Sequence, residues 1–339
     1  MRRARFHGHG RITIEDVPDP VPGPGELLLD VIAVGLCGSD RAAWTNGSAV
    51  TPGHETAGRI VAAGPGTRGA HGVVGSVFLV AWCGRCSRCR SGSRGACLSK
   101  EAMLGFDRDG GFADRMVVPE RCFLPLQPTL PAETAVLLLD VTGTALHALR
   151  RCGAFDTPPP AALVMGAGPL GLGCVMALRA VGVERILALD PSAHRLAMAA
   201  TLGAELIGGD LDAAVQVHAA LPEGPPLVLE ASGNPAAQRQ ALDLVAPGGR
   251  LVLLGHSPVA MAVDVSRDLI APEKQMLGSE YFDPAEYPHN QQLVIDGRLE
   301  PSRAVTHRYP LDELAQAYEL FWSGKSGKVL VFPDGQVDA

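Results

Sequence analysis

A chain of 339 residues is longer than the roughly 100–200 residues one core usually serves, so two domains are expected. Its 47% hydrophobic and 19% charged residues exclude a disordered or fibrous chain, and 40 glycines and 27 prolines, against roughly 24 and 17 at average usage, point to many tight turns. A net charge of −7 without a basic stripe argues against a nucleic-acid partner, and no run of 18 apolar residues is present to span a membrane.

The opening MRRARFHGHGRITIEDV carries charge but no apolar stretch of the kind a secretion signal needs, so a cytoplasmic location is expected. RITIEDV, the turn-rich PDPVPGPG and ELLLDVIAVGL predict strands across 11–36, and short β-runs punctuated by Gly and Pro continue through 54–80 and at 111–118. Two groups of metal-capable residues stand in this β-rich region. The first is Gly35-Leu-Cys37-Gly-Ser39-Asp40, followed by Gly53-His54-Glu55. A thiolate, an imidazole and a carboxylate near glycine bends form a mixed ligand set, which commonly leaves one position open for water or substrate.

The second group is Cys83, Cys86, Cys89 and Cys97, spaced C-x2-C-x2-C-x7-C in a loop of Gly, Ser and Arg. Four thiolates with no open position suit a structural zinc, although an iron–sulfur cluster or a partner-binding zinc ribbon shares such spacings. Arg85, Arg88, Arg90 and Arg94 are expected to favour the thiolate forms. Cys122, Cys152 and Cys174 lie alone in apolar or helical contexts and read as small buried hydrophobes. A disulfide framework is not expected in a cytosolic chain of this length.

After Pro131 the period changes, and AETAVLLLDVTGTALHALRR (132–151) predicts a helix with a broad apolar face. Asp140 interrupts that face, where an unpaired carboxylate is costly and a cation would compensate it. From Ala161 apolar β-runs alternate with helices: LVMGAG (163–168), ILALD (186–190), LVLEAS (227–232) and RLVLLGH (250–256). That alternation indicates a parallel sheet covered on both faces. Two helices and a last strand, KVLVF (328–332), are expected within 285–339.

Gly166-Ala-Gly168-Pro169-Leu170-Gly171 follows a β-run and opens a helix, the context of a dinucleotide turn. Gly166 permits the tight turn, Gly168 the approach of a pyrophosphate and Gly171 close helix–strand contact. Asp190 ends the next β-run, 24 residues after Gly166, where an acid can accept from both ribose hydroxyls and repel a 2′-phosphate. NAD(H) is therefore favoured over NADP(H), and Arg195 on the following helix is a further cofactor candidate. The alternative role for Asp190 is to cap that helix.

Taken together, GxCGSD, GHE, the four-cysteine loop and GxGxxG with its acid resemble the zinc-dependent medium-chain alcohol dehydrogenases, in order and over essentially the whole chain. The resemblance implies an α/β fold: a GroES-like β-rich catalytic domain over 1–148, a Rossmann doubly wound parallel sheet over 149–284, and a return to the catalytic domain over 285–339, with cofactor and zinc in the cleft between. It implies a catalytic zinc on Cys37, His54 and Asp140, with Glu55 either a direct ligand or just behind one, and a structural zinc on the four cysteines. Ser39 resembles the relay hydroxyl, and His147 either orients part of the site or packs. The implied reaction is hydride transfer between a secondary-alcohol, polyol or cyclitol substrate and NAD, with the matching ketone as product, in a homodimer or homotetramer. Arg41-Ala42-Ala43 departs from relatives that carry a relay histidine there, and the short stretch between Asp40 and Gly53 implies a reshaped pocket that Trp44 and Asn46 could contact. A zinc-free reductase of the quinone oxidoreductase type is the alternative enzyme, and a zinc-loop binding module the alternative from another class.

Overall fold

The structure, a computed structural model, describes residues 1–208 and 212–335. The chain divides into two compact units: 1–140 with 283–295 and 305–339, and 141–282 with 296–304.

The first unit is built on a seven-stranded sheet. Its path runs Val305–Pro310, Lys328–Phe332, Glu26–Gly35, Glu55–Ala63, Val74–Val77 and Phe123–Pro125, with Arg115–Pro119 also pairing to Glu26–Gly35. Phe6, Leu27, Leu29, Ile60, Phe112 and Val331 belong to the core it encloses. The register brings distant segments together. Gly35 pairs with Glu55 on one side and with Leu330 on the other, so the 328–332 strand, far away in sequence, lies beside the two metal-capable motifs. Gly35 is required there, because a Cβ would stand 2.6 Å from Lys328 Cε and 2.9 Å from Glu55 Oε2.

The second unit holds a six-stranded parallel sheet in the order Glu205–Ile207, Arg185–Leu189, Ala161–Met165, Leu227–Glu230, Arg250–Leu253, Gln275–Gly278. Every residue of Ala161–Met165 and Leu227–Glu230 is buried. Burial on both faces explains why these strands read as unbroken apolar runs rather than alternating ones. The strand order reverses between Ala161–Met165 and Leu227–Glu230, the switch point outside which ligands of such sheets bind.

Two expectations about boundaries are corrected. The single helix expected over 132–151 is broken into Thr134–Leu137 and Gly143–Arg151, and Asp140 lies in the intervening turn rather than on a helix face. The first unit consequently ends at Asp140, not at 148. The physical reason is close packing of the second helix: a Cβ at Gly173 on Pro169–Val181 would stand 1.7 Å from the Val141 carbonyl oxygen, which ties 141–151 to the second unit. Residues 296–304, expected in the catalytic domain, also belong to the second unit. Arg298 Nη2 donates to the Ala180 carbonyl at 2.6 Å and Arg303 to that of Thr201.

Candidate active site

The first metal-capable group assembles within one unit. Cys37 and Ser39 follow the Glu26–Gly35 strand, His54 and Glu55 open the neighbouring strand, and the helix break turns Asp140 toward them. One donor atom each from Cys37, His54, Glu55 and Asp140 lies within 4.8 Å of the others. Asp140 Oδ2 is 3.3 Å from His54 Nε2 and 3.5 Å from Cys37 Sγ. Bonds of about 2.0–2.3 Å to a tetrahedral zinc would set such ligand–ligand edges at about 3.3–3.8 Å, so the spacing suits that ion. Ser39 Oγ, exposed, lies 3.3 Å from both Cys37 Sγ and His54 Nε2.

Electrostatics support the same conclusion. Burial pushes the Cys37 thiol up, and the neighbouring Asp140 charge adds to the rise. Burial would push His54 down, but Asp140 and Asp40 outweigh it and hold the imidazole well above its ordinary value. Asp140 is lowered by His54 against the opposing effect of burial. Glu55 Oε2 and Asp140 Oδ1 are buried without a hydrogen-bond partner. Anionic groups crowded together with unpartnered oxygens call for a cation, and this donor set fits zinc.

Two residues behind the donors carried no signal in the sequence. Lys328, 1% exposed, donates to Glu55 Oε1 at 2.5 Å and to the Leu36 carbonyl at 2.8 Å. Burial lowers its affinity for a proton, but the Glu55 charge more than restores it. Tyr318, fully buried, donates to Asp40 Oδ2 at 2.8 Å. Trp44, half-buried, packs its ring 5.4 Å from that of Tyr318. Asn46 ends the short helix Arg41–Asn46, exposed. His147 lies on Gly143–Arg151, outside the donor set.

The four cysteines also come together, with their sulfurs within 4.8 Å of one another and no disulfide among them. Cys97 Sγ is 3.6 Å from Cys83 Sγ and 3.9 Å from Cys86 Sγ, close to the edge of about 3.8 Å that Zn–S bonds of about 2.3 Å give a tetrahedron. Two of the sulfurs are stabilised as thiolates, by groups other than those the sequence suggested, while burial pushes Cys89 up. Backbone N–H groups of Arg85 and Cys86 lower Cys83, and those of Cys89 and Leu98 bring Cys86 down to about 6. Two of the arginine side chains turn elsewhere: Arg94 pairs with Asp283 at 3.2 Å, and Arg90 donates to the Arg85 carbonyl. Cys122, Cys152 and Cys174 are buried singly, as expected.

In the second unit the glycine turn has the form a dinucleotide requires. Gly166 has φ +90°, and a Cβ there would meet that of Ser232 at 2.8 Å. A Cβ on Gly171 would lie 1.7 Å from the Gly166 carbonyl oxygen. Gly168, by contrast, has only the Arg195 guanidinium near its missing side chain, at 4.0 Å, which leaves room for a phosphate against the start of Pro169–Val181. Pro169 and Leu170 form the first turn of that helix. Asp190, 4% exposed, accepts from Ala167 N and Ser192 N, both at 2.8 Å. The cap of the following helix is Ser192, not Asp190. Arg195 Nη1 lies 4.0 Å from Asp190, and its buried Nε has no hydrogen-bond partner.

Comparison with known proteins agrees with this geometry. Residues 23–128 match the family described as alcohol dehydrogenase GroES-like domain, and residues 169–295 the one described as zinc-binding dehydrogenase. The uncharacterized zinc-type alcohol dehydrogenase-like protein YphC of Escherichia coli K12 is 32% identical, over 98% of this chain and 99% of that protein. L-threonine 3-dehydrogenase of Symbiobacterium thermophilum is 32% identical, over 95% and 94%. Alcohol dehydrogenase TADH from Thermus sp. ATN1 superposes with a TM-score of 0.91 at 29% identity, covering 98% of this chain and 99% of that one.

Proposed function

The chain belongs to the zinc-dependent medium-chain alcohol dehydrogenases, and from that premise we propose that it oxidises a secondary alcohol, polyol or cyclitol reversibly with NAD+. The observation that carries the proposal is the donor set of Cys37, His54 and Asp140 at tetrahedral spacing, with Glu55 beside it. Cys37, His54 and Asp140 would hold the catalytic zinc, and Cys83, Cys86, Cys89 and Cys97 the structural one. When bound, the catalytic ion supplies Lewis acidity toward an alcohol oxygen, and NAD+ supplies the hydride acceptor.

The protein's own residues do the rest. Ser39, exposed beside Cys37 and His54, accepts the substrate's hydroxyl proton. From Ser39 the proton moves on toward bulk water, which its exposure admits. Asp40 Oδ1, 3.3 Å from His54 Nδ1, orients the imidazole so that Nε2 faces the other donors. Lys328 holds one oxygen of Glu55 and leaves the other toward the metal position, a placement behind the primary ligands. In the second unit, N–H groups at the start of Pro169–Val181 and the Arg195 guanidinium receive the pyrophosphate, while the free lone pairs of Asp190 accept from the adenosine ribose. That acid favours NAD(H) over NADP(H).

No described helix is long and apolar enough to cross a membrane. A cytoplasmic homo-oligomer without a nucleic-acid partner is the setting that accompanies this reading. A panel of secondary alcohols, polyols, aminocyclitols and L-threonine, assayed with NAD+ and NADP+, tests the reaction. NAD+-linked oxidation of at least one secondary hydroxyl is expected. Turnover with NADP+ alone, or reduction of quinones without alcohol oxidation, would refute the proposal.

A further inference from the structure

We infer that Tyr318 is a positioning residue for the catalytic metal, acting through Asp40 on His54. This rests on the reading of Cys37, His54 and Asp140 as a metal centre, and adds to it a layer supplied by the C-terminal helix Leu314–Trp322.

The contacts form a continuous line. Tyr318 Oη donates to Asp40 Oδ2 at 2.8 Å, and the same oxygen accepts from Cys37 N at 2.9 Å. Asp40 Oδ1 faces His54 Nδ1 at 3.3 Å. One carboxylate therefore accepts from the backbone of one proposed ligand and lies at ion-pair distance from the imidazole of another, and the phenol fixes its rotation. Asp40 is itself 2% exposed, so water does not substitute for the phenol.

The ring that carries this hydroxyl is immobilised by four others. Phe6, Trp44, Phe112 and Trp322 place their centroids 5.7, 5.4, 5.9 and 5.9 Å from it. Arg41, in the segment that carries Asp40, stacks on Trp322 at 4.0 Å and ties the helix to the Cys37–Asp40 turn. Burial and the Asp40 charge hold the phenol well above its ordinary value, so it stays protonated and donates at any working pH. A buried tyrosine needs some partner for its hydroxyl. Here the partner is the group that orients a proposed metal ligand, and such supporting contacts commonly change metal affinity about 10–100-fold.

Tyr318→Phe keeps all four ring contacts and removes only the hydroxyl. Zinc-loaded wild type and variant are challenged with a chelator, and metal release from each site is followed. Cobalt-substituted samples report the geometry of the Cys37 centre through the visible d–d spectrum. The expected result is release from that centre about 10-fold faster with a displaced cobalt spectrum, an unchanged four-cysteine site and a melting temperature within about 2 °C of wild type. Should the variant not fold, replacing all tyrosines by 3-fluorotyrosine preserves the ring and strengthens the phenol as a donor. Slower release is then expected. Wild-type retention in either protein, or a lowered melting temperature without faster release, would overturn the inference and leave Tyr318 a packing residue. A wild-type protein that binds metal only at the four cysteines would instead overturn the metal-centre reading on which it rests.

Discussion

Removal of the Lys328 ammonium should expose how strongly the fold depends on the pair it makes with Glu55. Both side chains are 1% exposed, and their 2.5 Å contact joins the return strand Lys328–Phe332 to the strand that begins at Glu55. Lys328→Met retains most of the volume and leaves Glu55 buried without its partner. Breaking a buried pair in this way costs about 3–5 kcal/mol, because the surviving charge has no compensation. For a unit of this size that corresponds to a fall of about 6–20 °C in melting temperature. The deficit has a defined pH dependence. Burial already pushes Glu55 up to about 7, against the pull of Lys328, and losing the lysine raises it further. A carboxyl with a raised folded pKa carries no penalty below its unfolded value near 4.5 and an increasing one as pH rises toward and beyond 7. Urea denaturation of Lys328→Met and wild type, both stripped of metal, at pH 5 and pH 8 should therefore show a small deficit at the lower pH and the full one at the higher. Glu55→Gln in the Lys328→Met background should recover part of the loss. A single variant within about 0.5 kcal/mol of wild type at pH 8, or a double variant less stable than the single, would refute the reasoning.

Asp140→Asn should weaken metal retention at the Cys37 centre and depress kcat, whereas Asp140→Cys should retain the ion, since thiolate is also a zinc ligand; normal kcat and tight zinc in Asp140→Asn would move the third ligand elsewhere, to Glu55 first. Cys37 and His54, both raised above their ordinary values, must lose protons to bind metal, so equilibrium dialysis should show retention falling as pH falls. Cys89→Ala should lower thermal stability with little change in the affinity for NAD+, and a variant as stable as wild type would contradict a structural role for the four cysteines. Asp190→Ala should shift relative preference toward NADP+ by roughly 5- to 30-fold, or 1–2 kcal/mol, read from kcat/KM with each cofactor. A wild type that already prefers NADP+ would contradict the role given to Asp190.

Residues close together in sequence made much of this site legible. GxCGSD, GHE and the four-cysteine loop each hold their donors in short segments, so residue type and spacing suffice to read them. The parallel sheet was legible for a different reason: strands buried on both faces leave long apolar runs between helices. Lys328 and Tyr318 were not legible. They reach Glu55 and Asp40 across 273 and 278 residues, and only the sheet register and the packing of Leu314–Trp322 bring them there. The glycine of Gly35 was visible, but nothing local says that its missing Cβ makes way for a lysine. The break at Asp140 escaped because Ala and Leu on either side keep helical spacing, and the turn follows instead from tertiary packing between Val141 and Gly173.

Whether Cys37 belongs to a catalytic zinc centre is decided by the metal content of the dialysed protein and of Cys37→Ser, measured alongside NAD+-linked oxidation. Two zinc ions per chain are expected in wild type and one in the variant, with the four-cysteine site still filled, the fold intact and turnover abolished. One zinc in an active wild type, or full turnover by Cys37→Ser, would contradict that assignment.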